Sequence, residues 1–158
     1  MRKNQHMALP NIFSIEESNK LIGRVNNLSE TSNPTWGKMN VAQMIAHCNV
    51  TYEMAFEDIH PKPNAFVKFI LKMLVKNTVV NEVPYKQNGK TAPQFLIKDA
   101  KDFITEKGRL IAYINKTQTL GENHFENKES HSFGVLNKLE WNNMFYKHLD
   151  HHLTQFGV

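Results

Sequence analysis

Apolar residues recur at helical spacing along most of the chain, and the breaks between them carry residues that stop helices. Ser14-Ile15-Glu16-Glu17 has the spacing of a capping box, with the Ser14 hydroxyl and the Glu17 carboxylate taking up free N–H groups, and predicts a helix to about Leu28. Asn33-Pro34-Thr35-Trp36-Gly37 interrupts it. Asn40 with Gln43 three residues on marks a second start, and Val41, Met44, Ile45, Cys48, Tyr52, Ala55 and Phe56 keep one apolar stripe to about Glu57. After His60-Pro61-Lys62-Pro63, the stretch Ala65 to Val80 is apolar except for Lys68, Lys72 and Lys76, whose four-residue repeat forms a basic stripe on a third helical piece.

Asn81 to Lys98 holds Pro84, Asn88-Gly89 and Pro93 without clear periodicity and reads as a long ordered loop, a candidate wall or lid for a site. Asp99 is the expected cap of a helix running through Phe103, Ile104, Leu110, Ile111 and Ile114 to about Thr117, weakened at Gly108. Gly121 to Ser130 reads as polar loop, and a last helix is expected from Asn137 to Phe156, stopped by Gly157. No strand alternation stands out. About four long helices joined by loops predict an all-α chain, a helical bundle in one domain over residues 1–158.

Helical residues turn by about 100° each, so directions can be compared along the sequence. In the last helix His148 and His152 fall within roughly 20° of Trp141, on the arc shared with Phe145, Leu149 and Phe156. His151 falls beside Glu140 and Lys147 on a charged shoulder and is expected at the surface. In the second helix Gln43, Asn49, Glu53 and Glu57 mark the expected solvent side, and His47 turns inward near Met44, Thr51 and Met54. Tyr52 and Met54 are candidates for a pocket lining, with plain packing the simpler reading.

Three inward imidazoles change the picture, because each ring nitrogen needs a partner and a buried one left unmet costs about 1–3 kcal/mol. His148 and His152, four residues apart on one helix, form half of a metal site, and His47 supplies a third donor. Imidazole donors suit a divalent ion, zinc or nickel first, with iron or copper as further candidates. Such a shell of ordinary imidazoles should weaken below about pH 6.5, and full occupancy at pH 5 would count against it.

Composition narrows the class. The chain has 158 residues, 41% hydrophobic and 22% charged, enough to bury roughly two-thirds of its unfolded surface without disulfides. Its net charge of +4 comes from 19 basic residues spread along the sequence, so nucleic-acid binding is not expected. No segment is apolar for long enough to span a membrane. Arg2, Lys3, Asn4, Gln5 and His6 do not begin a signal peptide, and the single Cys48 fits a reducing compartment, so the cytoplasm is the expected location.

Met39-Asn40-Val41-Ala42-Gln43-Met44-Ile45-Ala46-His47 and His148-Leu149-Asp150-His151-His152-Leu153-Thr154-Gln155 resemble the second- and fourth-helix segments of the DinB/YfiT-like superfamily of metalloenzyme-type proteins. Trp36-Gly37, Thr91-Ala92-Pro93, His131-Ser132-Phe133-Gly134 and Glu140-Trp141 extend the likeness to an uncharacterised branch. The resemblance implies a four-helix bundle with long connecting loops, and metal ligands at His47, His148 and His152 with His151 excluded. It also implies thiol-dependent transferase or hydrolase chemistry on a small molecule, with a low-molecular-weight thiol as a candidate partner.

Three protein ligands leave an open position on the ion, the arrangement of a catalytic site. No general base is assigned: Glu53 and Glu57 fall on the expected solvent side, and Asp58 lies far along the helix from His47. Cys48 reads as a small core residue rather than a nucleophile. His131 is either a contact behind the ligands or an ordinary loop residue; His6, His60 and His124 read as solvated. The lysine-striped helix fits a core or dimer interface, or a membrane surface, and a homodimer is expected. The rival to an enzyme is a helical binding module whose metal is structural or incidental.

Overall fold

A computed structural model describes residues 8–158; His6 and the residues examined for a signal peptide lie outside that range. The described chain is mostly helical: α1 (Ile15–Asn26), α2 (Val41–Phe56), α3 (Ala65–Leu74), α4 (Lys76–Val80), α5 (Phe103–Phe125) and α6 (Lys138–Gln155). A single 3-10 turn, Pro93–Phe95, lies in the long loop, and two short antiparallel strands, β1 (Lys128–Ser130) and β2 (Gly134–Leu136), form a hairpin before α6. That hairpin was not expected. Each strand is only three residues long, too short for an alternating pattern to register.

Caps fix the two helices that matter most. Asn40 and Asn137 each accept from the backbone N–H three residues on, while Gln43 and Glu140 reach back to the cap N–H, so both capping boxes are complete. At α1 only half of the box forms: Ser14 accepts from the Glu17 N–H, but the Ser14 N–H already donates to the Asn11 carbonyl. Asp102, not Asp99, caps α5, and Asp99 pairs with Lys101 instead. α5 then runs past Thr117 to Phe125 with a break at Gly121, whose φ of 72° suits glycine.

The helices enclose a core of Trp141, Phe145, Leu149, Phe125, Tyr52, Leu110, Ile114, Met44 and Ile45. Tyr52 is plain packing, stacked against Tyr113 and Phe145. α2 lies chiefly against α5, and α6 touches α1, α2, α4 and α5. This placement overturns the expected solvent side of α2: Asn49 and Glu53 are buried against α5. There Glu53 binds both Arg109 and His60, and the Asn49 amide donates to Glu106. Glu57 is exposed as expected but accepts from the Tyr113 hydroxyl.

Candidate metal centre

α2 and α6 bring His47, His148 and His152 together, with one nitrogen from each ring in a group no wider than 4.8 Å. The His47 and His148 Nε2 atoms are 3.0 Å apart. The ring centroids lie 4.5 Å (His47 and His152) and 4.9 Å (the other two pairs) from one another. Three nitrogens around a zinc-sized ion would stand about 3.4 Å apart, given metal–nitrogen bonds of about 2.0–2.1 Å, so a donor set already within 4.8 Å needs to close by about an ångström to hold a small divalent cation.

The far side of each ring is held. His47 Nδ1–H donates to the Phe95 carbonyl at 2.8 Å, and His152 Nδ1–H donates to Gln155 Oε1 at 2.8 Å. The Gln155 amide is itself oriented, because its Nε2 donates to the Trp36 carbonyl at 2.7 Å. A Cβ on Gly37 would lie 2.6 Å from that Nε2, and Gly37 has φ +84°, so glycine is required beside this contact. Thr51 Oγ1 stands 3.0 Å from His148 Nδ1.

The hydrogen-bond network sets the protons. With His47 protonated at Nδ1, its Nε2 is an acceptor, so His148 Nε2–H donates to it and the Thr51 hydroxyl donates to His148 Nδ1. A hydroxyl can also accept. Thr51 therefore serves equally well when the His148 proton moves to Nδ1 and frees Nε2 as a ligand. Partners of this kind, behind the ligating rings, orient metal sites generally.

His47 and His152 are buried, while His148 keeps some solvent exposure. Burial lowers the affinity of all three for protons: His152 is held at about 3, His148 well below the ordinary value with its neighbours' charge adding to the effect, and His47 lowered although the Phe95 carbonyl favours its protonated form. The trio is neutral at pH 7, as metal ligation requires. Phe95 and Tyr85 put ring edges against His148, so the 81–98 loop does wall the site.

His151 is not in the cluster. It is half-buried, edge-on to Trp36, Tyr85 and His152, and faces a cavity of about 210 Å³ bounded also by Glu82, Lys147 and Asp150. Lys147, expected on a charged shoulder, is buried: its ammonium donates to the Thr78 and Asn81 carbonyls and to Asn81 Oδ1. The reason is α4, which packs on that side of α6 and ends in those carbonyls. Burial draws Lys147 down to about 8.

His131 bonds to Ser132 and the His60 carbonyl, apart from the three converging rings. His60, expected in solvent, pairs with Glu53, whereas His124 is exposed. Cys48 is fully buried with its thiol pushed up, the state of a packing residue. Thr51, Phe95 and Gln155 were missed as positioning groups. Gln155, three residues beyond His152, carried the one local signal, since that spacing places it on the same helical face.

Two core helices that converge three neutral imidazoles, each backed by an oxygen partner, define a helical domain with a preformed trihistidine cluster. The chain belongs to the family described as "Protein of unknown function (DUF1569)", whose family model matches residues 7–157. No curated protein and no solved structure matches the chain. Among the described residues, no helix is long and apolar enough to cross a membrane.

Proposed function

We propose that this protein is a cytoplasmic divalent-metal enzyme of the DinB/YfiT-like kind, with α1, α2, α5 and α6 as the four helices of the bundle. His47, His148 and His152 would hold the ion. The observation that carries the reading is the convergence of three imidazoles whose outer nitrogens are all engaged, which leaves their inner nitrogens as a donor set. When bound, a divalent ion with an open position lowers the pKa of a coordinated water or thiol, or polarises a carbonyl.

The chain's own residues supply the rest. Phe95, Thr51 and Gln155 hold the rings in place, and Phe95 and Tyr85 pack edge-on against His148. Trp36, Tyr85 and Glu82 bound a cavity that can seat the unreacting part of a small substrate. His151, kept neutral by burial, is the ring beside the cluster able to accept a proton. This arrangement supports thiol-dependent transfer or hydrolysis, with zinc or nickel ahead of iron or copper.

Untagged protein, loaded with zinc and dialysed, should retain about one equivalent, and His148→Ala should retain almost none. The loaded form is then assayed for low-molecular-weight thiol transfer and for ester and amide hydrolysis. Equal metal content in protein and variant would refute the site. Retained metal with no turnover in either assay would remove the enzyme.

A further inference from the structure

α3 is an amphipathic helix turned inside out. Its ten residues include none that is buried, and its main packing partner is the adjoining α4. Phe66 and Leu74 are each 73% exposed, Met73 63% and Phe69 57%, with Val67 and Ile70 also open. Lys68, on the opposite side, pairs with Glu129, and Lys76, the first residue of α4, pairs with Glu140, while Lys72 is exposed.

Helices shorter than about 12–15 residues are marginal in water, and most helical stability comes from burying an apolar face. The face exposed here is on the order of 600 Å², taking about 150–250 Å² for each aromatic and somewhat less for the aliphatic side chains. That reaches the top of the range for the largest patch on a monomer, about 300–600 Å², and approaches the about 800 Å² per partner of a stable interface. Val135 enlarges it. Its cross-strand partner Glu129 points at α3, directly opposed residues share a face of the hairpin, and Val135 is exposed.

We propose that the chain forms a two-fold homodimer in which the α3 faces of two copies pack against each other. Charge selects this occupant. A lipid-seeking helix flanks its apolar face with free lysines, but two of the three here are engaged by carboxylates of the same chain. The exposed face itself carries no charge to recognise an acidic or basic partner. An uncharged, self-complementary face is what an isologous contact needs, and Phe69 and Ile70, at its middle, would lie near the two-fold axis.

Sedimentation velocity on the full chain at micromolar concentration should give twice the 18.3 kDa chain mass. The double variant Phe66→Glu/Met73→Glu should sediment as a monomer while keeping its zinc content. Should that variant misfold, Phe69→Cys supplies an independent readout: a short bismaleimide should join two chains through it, since Cys48 is buried and unreactive. A wild-type monomer, a double variant that still dimerises, or a wild-type dimer whose Phe69→Cys form fails to cross-link would each overturn the proposal. A wild-type monomer that floats with phosphatidylglycerol vesicles would assign the face to lipid instead.

Discussion

Acid should destabilise the metal-free protein through the histidine cluster, and His152 sets the scale. Its ring is held at about 3 in the fold against an ordinary 6.5, because burial penalises the imidazolium and His47 adds to the effect. Between those values the unfolded chain carries a proton that the folded chain refuses. Stability is therefore full above 6.5 and is lost as pH falls toward 3. At about 1.4 kcal/mol per unit, His152 alone removes about 2 kcal/mol by pH 5 and about 4 kcal/mol by pH 3. His47 and His148 shift in the same direction and add to the loss.

Urea unfolding of chelator-treated protein at pH 7.5 and pH 5 measures this difference, and His152→Gln should shrink it by about 2 kcal/mol. Burial also moves the pH at which protons displace metal. Ordinary imidazoles would begin to release zinc below about 6.5, whereas His152 stays neutral at pH 5 and burial moves His47 and His148 in the same direction. Zinc affinity measured on folded protein should fall less steeply between pH 7.5 and pH 5 than three ordinary imidazoles would give. An unfolding free energy that does not change with pH, or a variant with the wild-type slope, would refute the account of burial. Zinc affinity falling below pH 6.5 as steeply as three ordinary imidazoles require, toward tenfold per ring per pH unit, would refute it independently.

Gln155→Leu removes the acceptor of His152 Nδ1–H and the donor to the Trp36 carbonyl. Competition titration should show zinc binding about 10–100-fold weaker, and an unchanged affinity would show that the His152 ring is oriented by packing alone. Lys147→Met leaves the Thr78 and Asn81 oxygens without their ammonium donor and cuts the tie between α6 and the end of α4. Chemical denaturation should show a loss of about 2 kcal/mol, and no loss would mean that water replaces the ammonium at these half-open carbonyls.

The starts of α1, α2 and α6 and the inward turn of three histidines were legible in sequence because both are local. A cap depends on residues three apart, and a helical face depends only on the angle per residue. What a face meets is not local. Asn49 and Glu53 stand on the polar side of α2, and polarity alone places them in water; yet α5 arrives on that side carrying Arg109, which pairs with the Glu53 carboxylate, and Glu106, which accepts from the Asn49 amide. Lys147 is the same case, its partners supplied by the end of a helix some 66 residues earlier in the chain.

α3 is the converse: its apolar stripe predicts burial, and the described residues leave it exposed. Polar residues buried by a distant complement and apolar residues left exposed are errors of one kind, since hydropathy fixes what a side chain needs and only tertiary structure decides what it is given. The histidine cluster escapes this limit for a physical reason. His148 and His152 are joined by one helical turn and His47 sits on a face that must meet α6, so two core helices packing together at all brings the rings within reach. The oxygens behind those rings come from Phe95 in a loop, Thr51 on α2 and Gln155 on α6, and of these only Gln155 shares a helical turn with the ring it holds.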